Sequence, residues 1–239
     1  MSERLPASAR AVVIGGGVAG ASVACGLARE GWDELVLIDQ GPLWRTGGST
    51  SHAPGLVFQH NPSHTMTTLA GWTVELFSEL GAYHAVGGIE VATNEERRAE
   101  LDRRAARARG YGLDARLLSP DEVAERVPLI DPGAILGGFL VADDGIAKAV
   151  DACEAMAGEA IDRGALRAFG SCEATGLTVE RGRVAGVETS LGSIRTEHVV
   201  IAAGIWGPRL ARLVHGLNIP LTPVQHQLAY TAPLASLAG

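Results

Sequence analysis

Glycines at positions 15, 17 and 20, in Gly15-Gly-Gly17-Val-Ala-Gly20, have the spacing G-x-G-x-x-G, and Asp39 closes the next apolar run. Residues of these types in this order suit a dinucleotide pyrophosphate. Gly15 permits a tight turn, Gly17 lets backbone approach the phosphates, and Gly20 lets a helix pack close to a strand. The helix N-terminus offers N–H groups and a partial positive charge, and Val18 and Ala19 of the turn belong to the cofactor-binding set. Asp39 can accept hydrogen bonds from ribose hydroxyls, and Gln40 beside it belongs to the same cofactor-binding set. This fingerprint does not separate NAD from FAD.

The elements that must hold these residues are legible around them. Ala11-Val-Val-Ile14 is a β-branched apolar run, as a strand buried on both faces should be. Residues 21–29 predict a helix ended by Gly31, and Leu35-Val-Leu-Ile38 predicts the second strand. Strand, glycine turn, helix, strand and acid thus follow within about thirty residues, the context the motif requires. Residues 11–28 carry no charge, but the five glycines at 15, 16, 17, 20 and 26 speak for this arrangement rather than a lipid-facing helix.

Residues 47–74 contain no Asp, Glu, Lys or Arg, although one-fifth of the chain is charged. The segment opens Gly47-Gly-Ser-Thr-Ser-His-Ala-Pro-Gly55. Glycines, hydroxyls and one imidazole can lie against a flat, neutral ring system while offering donors to it. A long polar surface loop is the other reading.

Composition removes several classes. The chain has 239 residues, 27 acids against 20 bases and a net charge of −7, so nothing suggests a general nucleic-acid or anionic-membrane binder. With 46% hydrophobic residues it is no disordered chain. The sole lysine, Lys148, removes the P-loop pattern and leaves one candidate for Schiff-base chemistry. Cys25, Cys153 and Cys172 are scattered, which speaks against a disulfide framework or thiolate metal site and for a reducing, cytoplasmic setting. His60 and His64 have i,i+4 spacing, but Pro62 lies between them with no acid near, so no metal site is expected. The N-terminus has no apolar stretch of its own and makes a poor signal peptide.

The run Gly47-Gly-Ser-Thr-Ser-His52-Ala-Pro-Gly-Leu-Val-Phe-Gln59 resembles the flavin-contacting segment of dimethylglycine oxidases and of dimethylglycine and sarcosine dehydrogenases. These are D-amino-acid-oxidase-like flavoproteins. Leu37-Ile-Asp39-Gln-Gly-Pro-Leu43, Gly87-Gly-Ile-Glu-Val-Ala-Thr93, Leu117-Leu-Ser-Pro120, and Ile135-Leu-Gly-Gly138 with Asp144-Gly145 are similar too. So are Val199-Val-Ile-Ala-Ala-Gly-Ile-Trp-Gly207 and Pro223-Val-Gln-His226-Gln227. The resemblance implies FAD, bonded covalently through His52 at its 8α carbon, with Ser49, Thr50, Ser51 and Leu56 along the flavin face. It implies a backbone contact from Ala174 to the adenine side. It also implies a catalytic histidine at His226, which would orient the amine or accept its proton.

The remaining segments fill in the architecture. Residues 81–93 and 135–141 predict strands, joined through helices at 95–109 and 119–127. Ten of residues 95–109 are charged, six of them arginines, and Glu100 and Arg104 have the i,i+4 spacing of an exposed helix. Ser119-Pro-Asp-Glu122 has the form of a capping box. Residues 147–163 predict a helix leading to a strand from Leu166, and 172–178, 184–189 and 193–197 an antiparallel meander. Val199-Val-Ile-Ala-Ala203 predicts a parallel strand ending in Gly204, which returns the chain to the cofactor. Residues 221–230 alternate as a strand of a substrate sheet would.

The expected fold is α/β: a discontinuous Rossmann-like FAD-binding domain from residues 1–60 and 145–215, with an inserted α+β substrate or cap region at 61–144. A second substrate-sheet segment starts at 216 and stops early, since a flavin-plus-substrate unit needs on the order of 350–400 residues. The expected reaction oxidises a small N-methylated amino acid by hydride transfer to flavin, giving an iminium, with dioxygen or another acceptor reoxidising the flavin. No nucleic acid or membrane partner is expected; a missing C-terminal portion or partner subunit is. Two alternatives stay open: a flavin-binding fragment or subunit without turnover, and another flavoenzyme of the same fold.

Overall fold

The computed structural model describes residues 4–45, 47–212 and 217–225, together with positions 227, 229, 232 and 234. The first part of the chain forms β1 (Ala11–Ile14), α1 (Val18–Arg29), β2 (Leu35–Ile38), β3 (Leu56–Val57), α2 (His64–Glu79), β4 (His84–Ala85) and β5 (Gly88–Ala92). Then come α3 (Glu95–Gly110), β6 (Ala115–Leu118), α4 (Pro120–Arg126), β7 (Gly137–Val141) and β8 (Gly145–Ile146). The last part forms α5 (Ala149–Asp162), β9 (Leu166–Phe169), β10 (Ala174–Glu180), β11 (Arg183–Thr189), β12 (Gly192–Arg195), β13 (Val199–Ile201) and α6 (Gly207–Ala211). These elements fall into two units, Met1–Pro54 with Lys148–His226, and Gly55–Ala147 with Gln227–Gly239.

In the first unit four parallel strands lie in the order β13-β1-β2-β9, with Val13 opposite both Val200 and Leu37. Side chains alternate across this sheet, so its apolar runs feed two cores. Ala11, Val13, Leu35 and Leu37 pack with Ala24 and Ala28 of α1 and Ala157 and Ala160 of α5. Val12, Ile14, Val36 and Ile38 face the other way and meet Val187 and Ile194 of the antiparallel sheet β10-β11-β12. The result is three layers: helices, parallel sheet, antiparallel sheet. Alanines let α1 and α5 approach closely, and Arg29 grips Glu159 across them with Nε and Nη2 at 3.0 and 2.7 Å.

In the second unit β5 and β6 flank β7, both antiparallel to it. α3 covers one face of this sheet: Leu101, Ala105 and Ala108 pack on Ala92, Ala115, Phe139 and Val141. Val123 of α4 joins Leu118, Ile135 and Leu140. The Ser119 capping box forms in both directions, Glu122 N donating to Ser119 Oγ and Ser119 N to Glu122 Oε2. A small antiparallel sheet, β3-β8-β4, completes the unit.

The uncharged segment 47–74 runs into α2, which begins at His64 with Ser63 as N-cap, its Oγ accepting from Met66 N. Three expectations need correction. The strand expected over 81–93 is broken at Gly87, whose φ of 79° splits it into β4 and β5 in different sheets. Glu100 pairs with Arg97, while Arg104 reaches Glu90, because the strand beneath offers a better-placed carboxylate than the next helical turn. Residues 221–225 form no strand, and positions 226, 228 and 230 lie outside the described residues. Strand β6 went unrecognised in the sequence. Among the described residues no helix is long and apolar enough to cross a membrane.

Candidate functional site

The turn from β1 into α1 is held by contacts that only glycine allows. Gly15 has φ +116°, and a Cβ there would stand 2.4 Å from Ala202 O. A Cβ on Gly20 would stand 1.8 Å from Gly15 O, so α1 sits directly on the turn it follows. Two side chains brace the turn from elsewhere in the unit. Asp39 Oδ2 accepts from Gly16 N at 2.7 Å, and Thr50 Oγ1 accepts from Val18 N at 3.0 Å. Asp39 Oδ1 also takes Gly41 N at 2.8 Å, so this buried carboxylate fixes the end of β2 as well.

Beside this turn lies a cavity of about 490 Å³. Gly15, Gly17, Val18 and Ala19 form one wall, Asp39 and Gln40 an end, and Gly48, Ser49 and Thr50 a second wall. Cys172 to Thr175 and Ile201 to Trp206 close the other sides, with Arg209 and Leu210 of α6. Gly17 is a tight point, where a Cβ would meet Thr50 Oγ1 at 3.0 Å. Bare backbone at the end of a twelve-residue helix and a carboxylate at the next strand's end fit the pyrophosphate and adenosine of a flavin dinucleotide. Burial raises the pKa of Cys172, which keeps this wall residue a neutral thiol.

The structure therefore brings together Gly15, Gly17, Val18, Ala19, Asp39, Gln40, Ser49, Thr50 and Ala174. Gly20 acts through packing, off the cavity wall. Ser51 and His52 share the 3-10 turn Ser49–His52 but do not line the cavity. The imidazole of His52 is exposed, with Nδ1 3.0 Å from Gly48 O, a contact in which only the nitrogen can donate. Leu56 belongs to the second unit, 57% exposed. His226 lies outside the described residues. His60 and His64 pack on different rings, His60 on Phe139 at 5.7 Å and His64 on Tyr111 at 4.8 Å between centroids. Lys148 is the exposed N-cap of α5.

Glu173, Thr175, Arg209 and Leu210 are wall residues that sequence patterning did not mark. They sit at strand starts and in a short helix, where no periodicity singles out a face. What brings Glu173 in is the parallel pairing of β9 with β2 and the bonds that continue it, Ser171 N to Gly41 O and Cys172 N to Asp39 O, both at 2.7 Å.

Comparison with known proteins places these features. Mitochondrial sarcosine dehydrogenase of Mus musculus is 33% identical, the alignment covering 96% of this chain and 26% of that protein. The mitochondrial pyruvate dehydrogenase phosphatase regulatory subunit of Mus musculus is 30% identical, covering 97% and 27%. The chain thus spans about a quarter of the length of these curated relatives. The crystal structure of L-proline dehydrogenase from P. horikoshii superposes with a TM-score of 0.82 at 25% identity, covering 87% of this chain and 56% of that one. The model of the family described as FAD dependent oxidoreductase, DAO, matches residues 10–238. The chain belongs to this family of FAD-dependent oxidoreductases.

Proposed function

We propose that the protein binds FAD in the cavity beside α1 and oxidises a small N-methylated amino acid of the sarcosine or dimethylglycine kind. The observation that carries this reading is the cavity itself, which gathers the glycine turn, Asp39, the Ser49–Thr50 wall and Ala174 around one volume. Bound FAD supplies a two-electron acceptor for hydride from the N-methyl carbon, and the substrate leaves as an iminium that water hydrolyses. Gly15, Gly17, Val18 and Ala19 hold the pyrophosphate, Asp39 and Gln40 the ribose, and the backbone of Ala174 the adenine side. Ser49, Thr50 and Ser51 lie along the flavin face. His226 orients the amine or takes its proton, leaving the lone pair free to assist. Residues 1–60 and 145–215 form the flavin domain in this reading, and 61–144 the substrate region. Dioxygen or another acceptor reoxidises the flavin in this reading, and a reducing cytoplasm is the proposed setting.

His52 is the proposed point of covalent attachment. Because Gly48 O holds the Nδ1 proton, Nε2 is the nitrogen with a free pair to offer. The purified yellow protein is to be precipitated in acid. Colour is expected to stay with the pellet and to move to the supernatant in His52→Ala; colour released from the unaltered protein would exclude the covalent bond.

A second reading is a flavin-binding subunit without turnover. The similarity to a regulatory subunit, at 30% identity over 97% of this chain, supports it.

A further inference from the structure

The cavity carries a charged pair that the dinucleotide motif does not explain. Arg209, on α6, is the only cationic side chain among the described residues that line it. Its Nη2 lies 3.4 Å from Glu173 Oε1, which spans from α6 to the residue just before β10. Both side chains are open to solvent, 74% and 45% exposed, so the pair sits at the mouth. Its position along the cavity follows from the backbone. Glu173 directly follows Cys172, whose N–H is bonded to Asp39 O, and directly precedes Ala174. The pair therefore sits beside Ala174, at the end where the adenine side is proposed to lie.

We propose that Arg209 is the adenine lid of this cavity, its guanidinium plane stacking on the purine while Glu173 holds the plane in orientation. The inference rests on the FAD reading above. A guanidinium is planar and weakly hydrated, and it stacks on aromatic faces where an ammonium does not. An exposed ion pair is itself worth little, so its function here is to aim the plane. The remaining wall at this end, Cys172, Ala174, Thr175 and Leu210, offers the purine mainly apolar contact, and none of these side chains is planar.

The test is ADP and adenosine binding by calorimetry to the full chain carrying His52→Ala, so that no flavin is held covalently. Arg209→Ala should weaken both ligands about tenfold. Arg209→Lys, which keeps the charge and loses the plane, should not restore them. Glu173→Gln should weaken both by a smaller factor, about two- to threefold. Unchanged adenosine affinity in Arg209→Ala, or full recovery in Arg209→Lys, overturns the lid. If the parent chain binds neither ADP nor FAD, the cofactor reading itself fails and the lid with it. Equal thermal midpoints across the variants separate lost contacts from lost folding.

Discussion

Asp144 shows how one residue's burial becomes a measurable property. It is 3% exposed, and its Oδ1 accepts from Gln59 N at 2.9 Å. Burial penalises the charged form and lifts its pKa from 3.8 to about 6, the Gln59 hydrogen bonds only partly opposing this. The folded state therefore binds this proton more tightly than the unfolded chain does. The associated stability is fully present below the unfolded pKa and is lost as pH rises through about 6. Asp144→Asn keeps the shape and an acceptor for Gln59 N while removing the charge. Urea unfolding should show the variant gaining on the parent between pH 4 and 7, by on the order of 1–3 kcal/mol at the upper end. A variant less stable than the parent at pH 7.5 would show that the carboxylate is better solvated than its burial implies. The glycine fingerprint and Asp39 were legible as residues because their spacing is a local property of the chain. Asp144 was visible only as part of a family-like Asp-Gly step, since no pattern in sequence says which acid is buried.

At the scale of elements, the contact of α1 with the turn before it is the most demanding in the first unit. Gly20→Ala would put a methyl 1.8 Å from the Gly15 carbonyl, and backbone cannot move aside as a flexible side chain can. The variant should lose about 1–3 kcal/mol in chemical unfolding and hold less flavin per chain after purification. Gly26→Ala on the same helix is the control, since a Cβ there meets nothing within 4 Å, and it should be neutral or slightly stabilising. β1, β2 and β13 were legible because strands buried on both faces read as unbroken apolar runs. α2 was obscured by the uncharged segment that contains its start, although Ser63 marks its cap. β6 was obscured by its two exposed or half-buried middle residues, which blunt the alternation.

For the whole molecule, the open question is turnover. Dimethylglycine or sarcosine added under argon should bleach the flavin band near about 450 nm if the chain is an enzyme. Retained flavin that no N-methyl amine bleaches would favour the subunit reading. The sequence by itself determined the nucleotide half-site, its flanking strands and the flavin family, because these rest on residues within one short stretch and on local periodicity. Only the tertiary structure decided which residues share a wall. Parallel pairing of β13 with β1 brings residues 201–206 to the glycine turn, and the Cys172–Asp39 bond brings 172–175 to the end of β2. It also separated His52 and Leu56, close in sequence, into different units. Such long-range contacts depend on how two cores close on opposite faces of one sheet, and no stretch of sequence records that alone.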